Sequence, residues 1–190
     1  MMKINIPFGE YGYPRMTEKE KELKNKLNIG CGWKKEKGFI NIDSAKEVKP
    51  DKIVNIEKGL PFPDNYFDYI YSSHALEHIN PSKWKFALNE IGRVAKDGCI
   101  LELDLPFDNI SCRSNIVHYR GFNWSSFDEI SDMGCGLRFY FYPFALKWII
   151  PKPNKLLRIF CNMFPFIVDS IQFKFEIIKK KKWGFYNENK

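Results

Sequence analysis

The residues with the clearest chemical potential begin at Gly30-Cys31-Gly32, a small-residue turn entered directly from the apolar run Leu27-Asn28-Ile29. Glycines there adopt backbone angles that other residues resist, and lacking a Cβ they let the main chain approach a ligand. Asp43 ends the next apolar run, Gly38-Phe39-Ile40-Asn41-Ile42, eleven residues after Gly32. A carboxylate finishing a strand beside a glycine turn can accept hydrogen bonds from both hydroxyls of a ribose. Its plainer role is to cap the following loop. The chain has three histidines, His74, His78 and His118. His74 falls nearest the inferred ligand, as a pocket-lining turn residue or as a base. His78 follows Glu77, and for both a local structural role is expected. Ala75 stands where a zinc-protease helix carries its Glu, which sets that motif aside. His118, in a loop beyond the last strand of the series, is the first candidate for a substrate-side base and His74 the second.

Short apolar runs bounded by Gly, Pro, Asp or Asn must position these groups: Leu27–Cys31, Phe39–Ile42, Lys52–Ile56, Tyr69–Tyr71 and Ile100–Leu105. Each reads as a strand. Asn80-Pro81 opens a stretch with Trp84, Phe86, Ala87, Leu88, Ile91 and Val94 at helical spacing, stopped by Asp97-Gly98. That is an amphipathic helix between the fourth and fifth strands. Strand, helix, strand order with continuous apolar strands predicts an α/β fold, a Rossmann-like and mostly parallel sheet with helices on both faces. Ligands of such sheets bind at the carboxyl ends of the strands. Only Trp33 to Lys37 separate the glycine turn from Gly38, so the first crossover must be abbreviated. Loop N–H groups, rather than a helix dipole, are then expected to meet the ligand. Thr17 and Glu20 have capping-box spacing, which predicts a helix over Thr17–Asn25. Ser125-Ser126 can cap a helix through Ile130, Leu137–Tyr142 reads as a strand, and Lys155–Phe164 as a helix. In Val168–Ile178, Ser170, Gln172, Lys174 and Glu176 alternate with Ile171, Phe173, Phe175 and Ile177, the period of a half-buried strand near an edge. An antiparallel strand pair is therefore expected toward the C-terminus.

Composition narrows the partners. At 190 residues the chain suits one domain. Cys31, Cys99, Cys112, Cys135 and Cys161 are scattered without a C-x-x-C pair, so no metal site is expected and reduced thiols in the cytoplasm are. Met1 to Tyr13 lack a secretory pattern, and no apolar run is long enough to span a membrane. Residues 133–190 carry 11 basic against 3 acidic side chains, so the excess positive charge belongs to the last third. A solvated basic face is the plain reading, with an anionic partner as the other. Phe139–Pro143 and Trp148-Ile149-Ile150, near lysines, leave peripheral membrane contact open. Nucleic acid is not expected as a partner.

From Asn28 through Phe107 the chain resembles the class I methyltransferases dependent on S-adenosylmethionine, in particular the small "type 11" group often found beside glycosyl-transfer genes. The matching pieces run in order: Leu27 to Gly32, Gly38 to Asp43, Leu60-Pro61-Phe62-Pro63-Asp64 leading to Phe67-Asp68, and Ser73-His74-Ala75-Leu76-Glu77-His78-Ile79. Arg93 to Gly98 and the strand to Leu105-Pro106 complete the series. The resemblance implies S-adenosylmethionine as cofactor and divides one domain, 1–190, into an N-terminal extension (1–25), a cofactor-binding core (26–107) and a substrate-side loop with a basic subdomain (108–190). It implies that Gly30, Cys31 and Gly32, with Asn28 below them, hold the methionine end, that Asp43 with Ser44 takes the ribose, and that Asn55 and Ile56 lie along the adenine. Ser72, Ser73 and His74 would close the site. Asn28 and Asn55 stand where relatives carry acids, and Asn115-Ile116-Val117-His118 keeps only the histidine of an Asp-Pro-Thr-His pattern. The acceptor implied is a small molecule or glycan methylated on O or N. A methyltransferase-like binding module without turnover and an RNA-directed enzyme are the alternatives.

Overall fold

The computed structural model describes residues 14–128, 144–149, 155–163, 168 and 170–179. Seven strands form one sheet in the order β3-β2-β1-β4-β5-β7-β6. β1 (Lys26–Ile29), β2 (Ile40–Asp43), β3 (Lys52–Ile53), β4 (Phe67–Ser73) and β5 (Ala95–Pro106) are parallel. β7 (Ser170–Lys179) runs antiparallel to both β5 and β6 (Phe144–Trp148). This is the α/β sheet that the strand pattern predicts. The order in which strands are added reverses between β1 and β4, which puts a crevice above their carboxyl ends.

The crossovers are short, as expected. Turns alone join β1 to β2, and single 3-10 turns over Lys46–Val48 and Ile56–Lys58 serve the next two. Only the β4–β5 crossover carries a full helix. There Asn80 Oδ1 accepts from Ser82 N at 2.9 Å, Pro81 opens a 3-10 turn, and α2 (Trp84–Val94) follows. Ala87, Leu88, Ile91 and Val94 lie buried on the face of α2 that meets the sheet. α2 ends before Asp97-Gly98, which lies inside a longer β5, with a register irregularity opposite Phe67 and Tyr69. Helical periodicity ran on past Val94 in the sequence because β5 begins with no intervening loop.

The large core takes α2, while the opposite face packs Phe39, Tyr69 and Tyr71 against Met16, Leu23 and Ile100. Only the one-turn α1 (Glu18–Lys21), shorter than expected, accompanies that second layer; its Thr17–Glu20 capping box is formed. A buried ionic knot fixes this segment. Lys174 Nζ donates to Arg15 O at 2.9 Å and to Glu20 Oε2 at 2.7 Å, and lies 3.4 Å from Glu102 Oε2. Glu102 also accepts from Arg15 N at 2.7 Å and from the Tyr69 hydroxyl.

β7 alternates as its sequence predicts, except that Lys174 is buried in that knot. It is an inner strand, not an edge, because β6 pairs along its far side. β6 went unread because Phe144–Trp148 is too short and apolar to show a period. Around Ser125-Ser126 the chain makes turns rather than a helix; Ile130 and Leu137–Tyr142 lie outside the described residues. α3 (Ile110–Ser114) follows β5, capped by Asn109, and α4 (Lys155–Met163) agrees with its expected span as far as Met163.

Candidate active site

β1 delivers the chain into Gly30 (φ +68°) and Gly32 (φ +50°), left-handed positions that favour glycine. The two differ in surroundings. A Cβ on Gly30 would overlap that of Ala75 in the loop after β4, whereas one on Gly32 meets nothing within 4 Å. Gly30 therefore lets two strand ends close together, and Gly32 faces open space.

The N–H groups of the turn are committed. Gly30 N and Cys31 N donate to Ile42 O at 2.9 and 3.0 Å, and Gly32 N donates to Asp43 Oδ2 at 2.9 Å. This corrects the expectation that loop N–H groups meet the ligand; its carbonyls are what remain to face an ammonium. Asp43 Oδ1 accepts from Ala45 N at 2.9 Å, so the residue does cap its loop. A carboxylate oxygen has two lone pairs, and each keeps one for a further donor.

Between the turn, Asp43 and the loop after β4 lies a cleft of about 490 Å³. That is within the ~300–1,000 Å³ usual for small-molecule sites. Gly30, Gly32, Asp43, Ser44, Asn55, Ile56 and His74 line it together, as the sequence reading requires. Ile42, Val54 and Ile56 contribute an apolar wall, and Trp33, Ala75, Leu76 and His78 extend the lining beyond the residues expected. The apolar members are strand-end neighbours of residues already singled out, so strand period could have found them. His78 could not be placed from a one-dimensional pattern.

Four expected contacts do not reach the cleft. Asn28 is buried within the sheet and donates to Asn41 Oδ1 at 3.0 Å. The Cys31 thiol is buried, directed at the Gly32 carbonyl at 3.5 Å. Ser72 Oγ donates to Ile29 O at 3.0 Å, a tie between β4 and β1, and Ser73 Oγ lies 3.4 Å from Asp104 Oδ2. Strand position holds Asn28 and Ser72 in the buried sheet, while Cys31, in the turn, and Ser73, at the end of β4, are held by the contacts just named. Asn55 does line the cleft, while its Oδ1 caps the next turn by accepting from Glu57 N at 2.9 Å.

The three histidines converge on one carboxylate. Glu77 is fully buried, and neither of its oxygens accepts a hydrogen bond among the described residues. His74 Nδ1 stands 3.4 Å from Glu77 Oε1, and the Nε2 atoms of His78 and His118 each stand 4.0 Å from it. The Glu77 carboxylate raises the pKa of His74 above its ordinary value, whereas burial lowers that of His118. The His78 and His118 rings meet edge to face at 4.9 Å. His118 lies on the far side of Glu77 and His78 from the first cleft, in a second one of about 500 Å³ with Asp108, Cys112, Tyr119 and Arg120. Both its ring nitrogens are engaged: Nδ1 with Cys112 Sγ at 3.5 Å and Nε2 with the Asn115 amide nitrogen at 3.0 Å. His74 and His118 thus flank the inferred reaction centre without either being set as a free base.

A sheet ordered 3-2-1-4-5-7-6, with a glycine turn and an acidic strand end facing one crevice, is a Rossmann-like fold. Comparison with known proteins adds to this. Residues 36–103 match the family model described as a methyltransferase domain. Among solved structures, a SAM dependent methyltransferase from Archaeoglobus fulgidus aligns at 15% identity and a TM-score of 0.55, over 82% of this chain and 87% of that one. The YcgJ protein of Bacillus subtilis aligns at 18% identity and a TM-score of 0.52, over 82% and 89%. The 4+2-cyclase SpnF aligns at 22% identity and a TM-score of 0.40, over 45% of this chain and 39% of that one. No curated protein matches the sequence. Residues 36–103 thus look like part of a methyltransferase domain, and the solved structures share the fold of this chain. The family match begins at Glu36, past the glycine turn, so the role of that turn rests on the geometry above.

Proposed function

We propose that the protein transfers a methyl group from S-adenosylmethionine to an oxygen or nitrogen of a small-molecule or glycan acceptor in the cytoplasm. The observation that carries this reading is the pair of clefts on either side of Glu77 and His78, one at the strand ends and one walled by Cys112, His118 and Arg120. In the first, Asp43 would hold the ribose, Ile42, Val54 and Ile56 the adenine, and the Gly30–Gly32 carbonyls the methionine ammonium. The bound cofactor would supply an electrophilic methyl on a sulfonium. What the chain contributes is alignment, which converts a bimolecular displacement into an effectively unimolecular one.

A small or glycan acceptor is favoured over RNA by the acceptor cleft itself, whose Asp108 and Arg113 pair with each other at 2.7 Å and leave Arg120 as its one further arginine rather than a broad basic face. Cys31, Cys99 and Cys112 are free thiols, in keeping with a reducing compartment. No helix among the described residues is long and apolar enough to cross a membrane. Incubation with methyl-labelled cofactor and fractionated small-molecule and glycan extracts should label an acceptor. Labelling of RNA alone would overturn the acceptor class, and no labelling in any fraction would favour a binding module.

A further inference from the structure

We propose that Glu77, His78 and His118 form a binding site for one first-row divalent cation, on the wall between the two clefts. No local spacing marks it, since the ligands come from two loops about forty residues apart. Their donor atoms lie within 4.8 Å of one another.

Two independent observations point to a cation. The first is Glu77 itself, fully buried with neither oxygen hydrogen-bonded among the described residues. A carboxylate in that state is strongly unfavourable unless a positive charge faces it, and its nearest partner, His74 Nδ1, stands 3.4 Å from Oε1. The second is the orientation of the imidazoles. His78 Nδ1 lies 2.9 Å from Val117 O, a carbonyl that can only accept, so Nδ1 carries the proton and Nε2 a lone pair. The Asn115 amide nitrogen at 3.0 Å donates to His118 Nε2, whose single in-plane lone pair a cation would take over from that amide. Both Nε2 atoms stand 4.0 Å from Glu77 Oε1. Imidazoles that ligate metals are held as His78 is, the remote N–H anchored on a backbone carbonyl. Tyr119 N also donates to Glu77 O at 2.9 Å, tying the loop that carries His118 to the one that carries Glu77 and His78.

Two imidazoles and one carboxylate suit Zn²⁺, Co²⁺ or Mn²⁺ rather than Ca²⁺ or Mg²⁺, which take oxygen ligands. With bonds of roughly 2.0–2.1 Å the donors must draw together by about half an ångström or more. Three protein ligands leave a coordination position for an acceptor atom. Resting on the methyl-transfer reading, this narrows the acceptor to a hydroxyl. The cation would draw off its proton, which leaves to solvent, as the oxygen lone pair takes the methyl and the carbon–sulfur pair stays on sulfur. It also replaces His118 as a base, because Nε2 becomes a ligand.

The test is calorimetric titration of the tag-free chain with Zn²⁺, and with Co²⁺ read by visible ligand-field bands, for the wild type and for Glu77→Gln, His78→Ala and His118→Ala. One ion per chain is expected, with affinity reduced at least ~100-fold in each histidine variant. Absence of stoichiometric binding would overturn the proposal, as would affinity equal in wild type, His78→Ala and His118→Ala. Glu77→Gln removes the charge without changing size, and the two more exposed histidines keep the test open should that variant fail to fold. S-adenosylhomocysteine is titrated in parallel. Its binding without metal binding sinks the cation site alone, and metal binding without it sinks the cofactor reading alone.

Discussion

Replacing Gly30 by alanine should damage the protein through two separable terms. The left-handed angle at Gly30 (φ +68°) costs a side-chain-bearing residue about 1–2 kcal/mol. Overlap of the new Cβ with Ala75 adds an overpacking cost of about 1–3 kcal/mol. Gly32→Ala incurs only the first term, since nothing lies within 4 Å of a Cβ there. For a chain of this size, about 3 kcal/mol corresponds to a melting temperature lower by roughly 6–12 °C. Thermal unfolding of Gly30→Ala, Ala75→Gly and the double variant isolates the steric part as a coupling energy. The expected coupling is about 1–3 kcal/mol in the favourable direction, with the backbone cost of Gly30→Ala left unrescued. S-adenosylhomocysteine affinity should follow the same order, because the contact holds the turn against the loop that carries His74. A Gly30→Ala variant as stable as Gly32→Ala, or a coupling near zero, would refute the claim that this glycine exists to let two strand ends meet.

Lys174→Ala should destabilise the fold by about 3–5 kcal/mol in chemical denaturation, because it strands the buried Glu102 carboxylate; combining Lys174→Met with Glu102→Gln should recover most of that loss. Stability should fall in acid through Glu90, whose pKa is held below its ordinary 4.5 chiefly by hydrogen bonding to Arg93. A depressed folded-state pKa gives a contribution that is complete above the unfolded value of about 4.5 and lost as the pH drops through the folded one. Glu90→Gln should therefore flatten the stability profile below about pH 4.5 and leave its shape at neutral pH unchanged.

The parallel half of the sheet was legible because buried strands read as bounded apolar runs, and Gly30, Asp43 and His74 sit at their ends. Boundaries were less so. α2 passes into β5 without a loop, and a helical period cannot mark where it stops. Side-chain direction was least legible of all. Asn28, Cys31, Ser72 and Ser73 neighbour true lining residues in sequence, yet their side chains are taken up by contacts within the sheet or its loops. The convergence of His74, His78 and His118 on Glu77 depends on the loop after β5 folding back over the loop after β4, a contact between distant segments that no local spacing records. The antiparallel end was half legible. β7 has a clear period of two, but its inner position depends on β6, whose five residues carry no pattern.

The account stands most directly on one calorimetric titration, that of the purified chain with S-adenosylhomocysteine, run beside Asp43→Ala. The wild type should bind one molecule per chain. The variant, deprived of charged hydrogen bonds worth about 1.5–3 kcal/mol each, should bind at least ~10-fold more weakly. No heat at millimolar ligand, or equal affinity in both proteins, would contradict a cofactor held between the glycine turn of β1 and the acid that ends β2.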